Sequence, residues 1–302
     1  MSAEILDGRA VAACLTERSI ERVGELARTG EQRSLHIVTA TTDPSSESYV
    51  QALTRYGTRI GVRVNVERLD EGAPAEAIRR ALESASADPS VHGVMLQTPL
   101  PAGVSLQQVA TAIAVDKDVD GANPLSLSTW MSGGVGFAPA TAAAVIELLD
   151  HHGVELAGAR VTVVGRSPVV GKPLLHLFLN RDATVTVAHS KTKDLAAATR
   201  GASILVAAAG SPGLVTGEHV GDGAVVIDVG TNYDAAGRLS GDVDERTVAA
   251  KAAALSPVPG GVGAVTTALL FRNTITGIAA RGPREPVAKT TTTEPAMVPV
   301  SH

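Results

Sequence analysis

Short aliphatic runs alternate along this chain with longer stretches of helical apolar spacing. That alternation restricts it to α/β architectures built on mainly parallel strands. The runs are Leu35 to Thr39, Val62 to Val66, Val91 to Gln97, Arg160 to Val164, Thr184 to Ala188, Ile204 to Ala208 and Val225 to Asp228. Between them, Val11, Leu15, Ile20, Val23 and Leu26 follow a candidate cap at Asp7, and Val50, Leu53, Tyr56 and Ile60 recur near helical spacing. A further helix is expected around Ala75 to Ala85, and Thr141 is expected to cap one running through Leu149. In Val62, Val64 and Val66 the valines alternate with Arg63, Asn65 and Glu67, the pattern of a strand with one buried face. Aromatic residues are only 2% of the chain, so its cores must be built from Ala, Val, Leu and Ile. Aliphatic cores of this kind suit helices packed on parallel strands.

The 302 residues suffice for two α/β domains with a cleft between them, and the second block of strands starts near Pro139. Thr41 to Ser46 reads as a loop, Ser256 to Gly263 as a Pro/Gly connector before the last helix, and the Pro/Thr-rich stretch after Arg281 as a disordered tail. A formal charge of −5 without a basic stripe argues against nucleic acid. The most apolar stretch, Val262 to Ala280, contains Arg272 and Asn273 and reads as a buried helix rather than a membrane span. The N-terminus has no apolar core of a signal peptide, so the cytoplasm is expected. The single cysteine, Cys14, is expected to be a buried structural thiol.

Four segments could carry chemistry. In Val163 to Pro173 a buried strand ends at Gly165, turns through Arg166, Ser167 and Pro168, and opens a helix near Gly171. Glycines there let backbone approach a pyrophosphate, and the helix start supplies N–H donors, although an ordinary strand–helix turn also favours glycine. The next strand ends in His189-Ser190-Lys191-Thr192, without the acid that NAD-selective sites place on the ribose hydroxyl. Arg166 and Ser190 suit a 2′-phosphate instead, which favours NADP over NAD. Gln97, Thr98, Pro99, Leu100 and Pro101 form a rigid strand-end loop of the kind that meets ligands in open α/β sheets. Asp116, Asp118 and Asp120 alternate in one turn but lack the further ligands of a calcium loop, so no metal is expected. One of these carboxylates facing an amino-pyrimidine edge is the functional reading, and a solvated acidic turn the plain one. Pro259, Gly260 and Gly261 bring bare backbone toward a ligand or simply connect domains.

Taken together, Ile5-Leu6-Asp7-Gly8, Ser46-Glu47-Ser48-Tyr49-Val50, Gln97-Thr98-Pro99-Leu100-Pro101, Lys117-Asp118-Val119-Asp120-Gly121, Gly165-Arg166-Ser167, His189-Ser190, Val226-Ile227-Asp228-Val229-Gly230, Gly241-Asp242-Val243 and Pro257 to Gly263 make the chain resemble the bifunctional methylenetetrahydrofolate dehydrogenase/cyclohydrolase family over about residues 4–281. The resemblance implies a folate-binding catalytic domain at 1–138 plus 263–281, a Rossmann-type NADP-binding domain at 139–262, and a homodimer. It further implies that Tyr49, Gln97 and Asp120 belong to the catalytic cluster. Thr98, Pro99, Pro259, Gly260 and Gly261 then line the folate site, and Gly165, Arg166, Ser167, Ser190 and Thr231 hold the cofactor.

The chain departs from the family where substrate chemistry is concerned. The family's lysine four residues after the tyrosine is Leu53, its Val-Gly before the acidic loop is Ala40-Thr41, and its Pro-Cys-Thr-Pro is Pro139-Ala140-Thr141-Ala142. Its Pro-Met after Gly263 is Ala264-Val265, and the isoleucine of its Asp-Val-Gly-Ile-Asn segment is Thr231. Three functions follow from a scaffold altered in this way. One is NADP-dependent 5,10-methylenetetrahydrofolate oxidation with weak or lost cyclohydrolase activity. The others are an oxidoreductase acting on another folate or C–N compound, and a non-catalytic folate or dinucleotide binder.

Overall fold

The computed structural model describes residues 3–233 and 238–278. The stretch expected to form a disordered tail lies outside the described residues. The chain opens with β1 (Glu4–Ile5) and α1 (Gly8–Arg28), whose first turn is capped by the Asp7 carboxylate accepting from the Arg9 amide. It continues through β2 (Ser34–Thr39), α2 (Pro44–Ile60), β3 (Arg63–Arg68), α3 (Ala75–Ala87) and β4 (Gly93–Leu96). Three helices, α4 (Leu106–Val109), α5 (Pro124–Met131) and α6 (Ala140–His151), lead into the second half. There the order is β5 (Arg160–Val164), α7 (Gly171–Leu179), β6 (Thr184–Ala188), α8 (Leu195–Thr199), β7 (Ile204–Ala207) and β8 (Val225–Asp228). A hairpin of β9 (Asn232–Tyr233) and β10 (Leu239–Ser240), then α9 (Glu245–Val248), β11 (Ala254–Leu255) and α10 (Val262–Thr276), complete the described chain.

The strands form two parallel sheets. The smaller has the order β3-β2-β4 and the larger the order β1-β11-β8-β7-β5-β6. Omitting β1, the larger sheet runs second-first-third-fourth-fifth in chain order, a doubly wound arrangement whose order reverses between β5 and β7. The strand β1 was not foreseen from the sequence, because two exposed residues carry no periodicity. It pairs with β11 and so ties the N-terminus to the far edge of the second sheet.

Helix α10 is shared by the two halves. Val265, Ala268 and Leu269 join a core formed with α1, α6 and α7 on one face of the larger sheet. Leu270, Phe271 and Ile275 join Leu35, Ile37, Val50, Leu53 and Met95 on one face of the smaller. An Arg272–Glu147 ion pair at 3.1 Å and a bond from Asn273 to the Val119 carbonyl at 2.8 Å fasten it to α6 and to the acidic loop.

Several local expectations are corrected. Helix α6 starts at Ala140 with Pro139 as its cap residue, so Thr141 lies inside the first turn rather than capping it. The Thr41 to Ser46 loop is shorter than expected, because Asp43 caps α2 through the Ser46 amide and Pro44 occupies the first turn. Strand β3 is an edge strand with its residues half-buried or exposed, while Val62 is buried just before it. Cys14 is half-buried. Among the described residues no helix is long and apolar enough to cross a membrane.

Candidate active site

The larger sheet presents its strand ends in one line, and the candidate cofactor residues lie along it. Strands β5 and β6 pair in register, Val164 opposite Ala188, so Gly165-Arg166 and His189-Ser190 leave the sheet side by side. The Gly165 amide donates to the Ala188 carbonyl at 2.8 Å. Gly165 has φ +136°, and a Cβ there would run into the carbonyl of Ala208 beyond β7, at the point where strand order reverses. Only glycine keeps this crevice open. The Ser167 hydroxyl accepts from the amides of Val170 and Gly171 at 3.1 and 3.3 Å, fixing the start of α7. Arg166 and Ser190 are exposed at adjacent strand ends. Thr231, also exposed, follows β8, three strands from β6 and roughly 14 Å away at the usual strand spacing.

Two buried carboxylates hold the middle of this edge. Asp242 accepts from the amides of Ala209, Gly210 and Ser211 at 2.6, 2.9 and 2.8 Å and from the Asn232 side chain at 2.9 Å. Asp228 accepts from the amides of Gly230, Asp242 and Val243 at 2.8, 2.9 and 3.0 Å. Burial, outweighing these bonds, pushes Asp228 up to about 6. Both aspartates belong to recognisable segments of the sequence. Their loop-bracing role was not foreseen, because their partners are distant backbone amides.

The next strand along, β11, leads into Pro257 to Gly261, which cap α10. Gly8 packs so closely on this loop that a Cβ would meet the Gly261 carbonyl, and the Arg9 guanidinium lies over Gly260. Pro259 is exposed and Gly261 buried. Thus the loop expected to line the substrate cleft adjoins the end of the cofactor edge marked by Thr231.

The remaining site residues come from the smaller sheet and its helices. Gln97 directly follows β4, also at a reversal of strand order, and is 6% exposed. Its Nε2 donates to the Thr98 carbonyl at 2.6 Å, while Oε1 is buried without a partner. Ser46 donates to the same carbonyl at 3.0 Å, linking the Gln97-Thr98-Pro99 turn to the helix that carries Tyr49. Thr98 and Pro99 are exposed, and Pro99 borders an open groove of about 860 Å³ with Thr41, Asp43, Glu71 and Val104.

Tyr49 and Asp120 are brought together. Burial holds the Tyr49 phenol well above its ordinary range, the negative charge of Asp120 adds to this, and the Thr267 hydroxyl opposes it. Asp120 is pushed up to about 7 by burial first and by Asp118 second. Asp118 is fully buried and accepts from the amides of Ala122 and Asn123, both at 2.9 Å, so it is the structural acid of the loop. Spacing alone could not separate the two roles.

Leu53 is 0% exposed, packed with Val50, Met95, Phe137 and Phe271 below the half-buried Tyr49. With no exposed surface, its side chain lines no open wall.

Comparison with known proteins agrees with this arrangement. Residues 6–120 match the tetrahydrofolate dehydrogenase/cyclohydrolase catalytic domain, and residues 139–281 match the NAD(P)-binding domain of the same enzymes. The bifunctional protein FolD of Nocardia farcinica is 53% identical over 272 residues, spanning 89% of this chain and 95% of that protein. The FolD methylenetetrahydrofolate dehydrogenase/cyclohydrolase of Campylobacter jejuni superposes with a TM-score of 0.87 at 34% identity, covering 91% of this chain and 98% of its own. The Trypanosoma brucei enzyme, solved with NADP and an inhibitor, superposes with a TM-score of 0.86 at 36% identity, covering 91% and 97%.

Proposed function

The chain belongs to the tetrahydrofolate dehydrogenase/cyclohydrolase family, and from that premise we propose that it oxidises 5,10-methylenetetrahydrofolate to 5,10-methenyltetrahydrofolate with NADP, with hydrolysis of the product weak or lost. The observation that carries this reading is the continuous line of strand ends from Ser190 and Arg166 through Thr231 to Pro259-Gly260-Gly261. Cofactor and substrate sites adjoin along it.

The residues fit a dinucleotide. Gly165 leaves room for backbone approach, and α7 contributes the positive end of its dipole to a pyrophosphate, its own first amides being held by Ser167. Arg166 and Ser190 hold a 2′-phosphate through a charged fork and a hydroxyl. Bound there, NADP supplies a hydride acceptor. On the substrate side, ionised Asp120 accepts paired N–H bonds from a pterin edge, Tyr49 offers a ring to pack against, and Gln97 Oε1 offers a free acceptor. Pro259, Gly260 and Gly261 close the cleft from the other sheet.

Removing hydride from the methylene carbon leaves a methenyl cation stabilised by the substrate's own nitrogens. This step asks the protein for placement rather than for a proton. Hydrolysis needs an activated water and proton movement, and Leu53 supplies neither. We assign residues 1–138 with 263–281 to the folate side, apart from β1, which pairs into the larger sheet, and 139–262 to the cofactor side. A cytoplasmic homodimer is part of the same reading.

The test follows NADPH absorbance with 5,10-methylenetetrahydrofolate, and separately the decay of methenyltetrahydrofolate. NADPH formation without enzyme-dependent decay is expected. Absence of NADPH formation overturns the reading.

A further inference from the structure

Ser190 is exposed, so its hydroxyl meets a 2′-phosphate well only if the turn after β6 holds it in place beforehand. That turn is closed around it. The His189 amide donates to the Thr192 hydroxyl at 2.9 Å, the Lys191 amide donates to His189 Nδ1 at 3.1 Å, and the Thr192 amide donates to the His189 carbonyl at 2.7 Å. One residue earlier, the Ala188 carbonyl accepts from the Gly165 amide at 2.8 Å. The turn that carries Ser190 is thereby tied to the strand end that carries Arg166.

His189 takes part in all three bonds of the turn. A side chain that accepts from the amide two residues on is the usual contribution of asparagine or aspartate. Here an imidazole does this through an unprotonated Nδ1, so the closing group is not an anion. An aspartate in the same place would set a negative charge beside a phosphate. The next acid along the chain, Asp194, accepts from the Ala197 amide at 2.9 Å at the start of α8.

We propose that His189 is a positioning residue for cofactor choice. Its imidazole closes the turn that presents Ser190 to the 2′-phosphate of NADP, and it does so without a charge that would repel that group. This role rests on the phosphate reading of Ser190 above.

The test is calorimetric titration of the full chain with NADP and, separately, with NAD. His189→Ala should weaken NADP binding about ten-fold, the scale of one charge-assisted hydrogen bond, and leave NAD binding nearly unchanged, since NAD has no 2′-phosphate. Thr192→Val, which removes the acceptor of the His189 amide, should show the same selective loss. His189→Asn keeps an acceptor for the Lys191 amide and should restore NADP binding, whereas His189→Asp keeps the acceptor but adds the charge and should not. In a Ser190→Ala background, His189→Ala should have no further effect. With a wild type that prefers NADP, three results overturn the role and leave the phosphate reading intact: unchanged NADP binding in His189→Ala, equal losses for both cofactors, or a full loss that persists without the Ser190 hydroxyl. A wild type that binds NADP no better than NAD overturns both.

Discussion

Replacing Leu53 by lysine tests the link between a buried leucine at this position and the proposed loss of hydrolysis. Leu53 has no exposed surface, and removing its side chain from the cluster forfeits about 2–3 kcal/mol of transfer free energy. The lysine stem recovers part of that loss. An ammonium left among Val50, Met95, Phe137 and Phe271 costs several kcal/mol, so the head group must leave the cluster or lose its proton. Extended, the side chain spans about one helical turn, roughly 5 Å, which is the separation of positions 53 and 49 on α2. It therefore reaches the level of Tyr49, where the Asp120 carboxylate favours a charged amine. The expected balance is a folded protein less stable by about 2–4 kcal/mol. A positioned acid or base contributes typically about 10²–10⁴-fold, so even poor placement should give a measurable gain in methenyltetrahydrofolate hydrolysis. Decay of methenyl absorbance is followed for the wild type, Leu53→Lys and the volume-conserving Leu53→Met. Only Leu53→Lys should exceed the buffer rate. Clear hydrolysis by the wild type, or an equal gain in Leu53→Met, would refute the reasoning.

Three further outcomes are expected. Arg166→Ala should weaken NADP binding by about ten-fold or more, the scale of a lost charge-assisted bond, while hardly affecting NAD; equal losses for both cofactors exclude its phosphate role. Asp120, pushed up to about 7 by burial and then by Asp118, should bind folate better as pH rises from about 6 to 8, because only the carboxylate accepts both N–H bonds. Its effect on stability has the opposite sign. The native state keeps a proton that the unfolded chain releases, so the penalty is absent below about pH 4 and complete above about 7; an affinity that stays flat from about pH 6 to 8 contradicts the assignment. Asp242→Ala removes the acceptor for three backbone amides and the Asn232 amide. Exposed Ala209 and Gly210 recover water, so the cost should be about 2–4 kcal/mol in urea unfolding, with weaker NADP binding; an unchanged midpoint counts against the bracing role.

The sequence by itself determined the strand–helix alternation, the glycine at the end of β5, the missing acid at the end of β6 and the substitution at position 53. These are local signals: aliphatic period, turn chemistry and residue identity at fixed spacing carry them without a partner. Tertiary structure decided what spacing cannot encode. It assigned Asp118 to bracing, because its carboxylate meets the amides of Ala122 and Asn123, and left Asp120 beside Tyr49 without that role. It added β1 to the edge of the second sheet, where two residues are held only by pairing with β11. It buried Leu53 completely, in a cluster with Phe137 and Phe271 from segments far along the chain. Such contacts arise from how packed faces dispose of apolar surface, and no single segment contains that information.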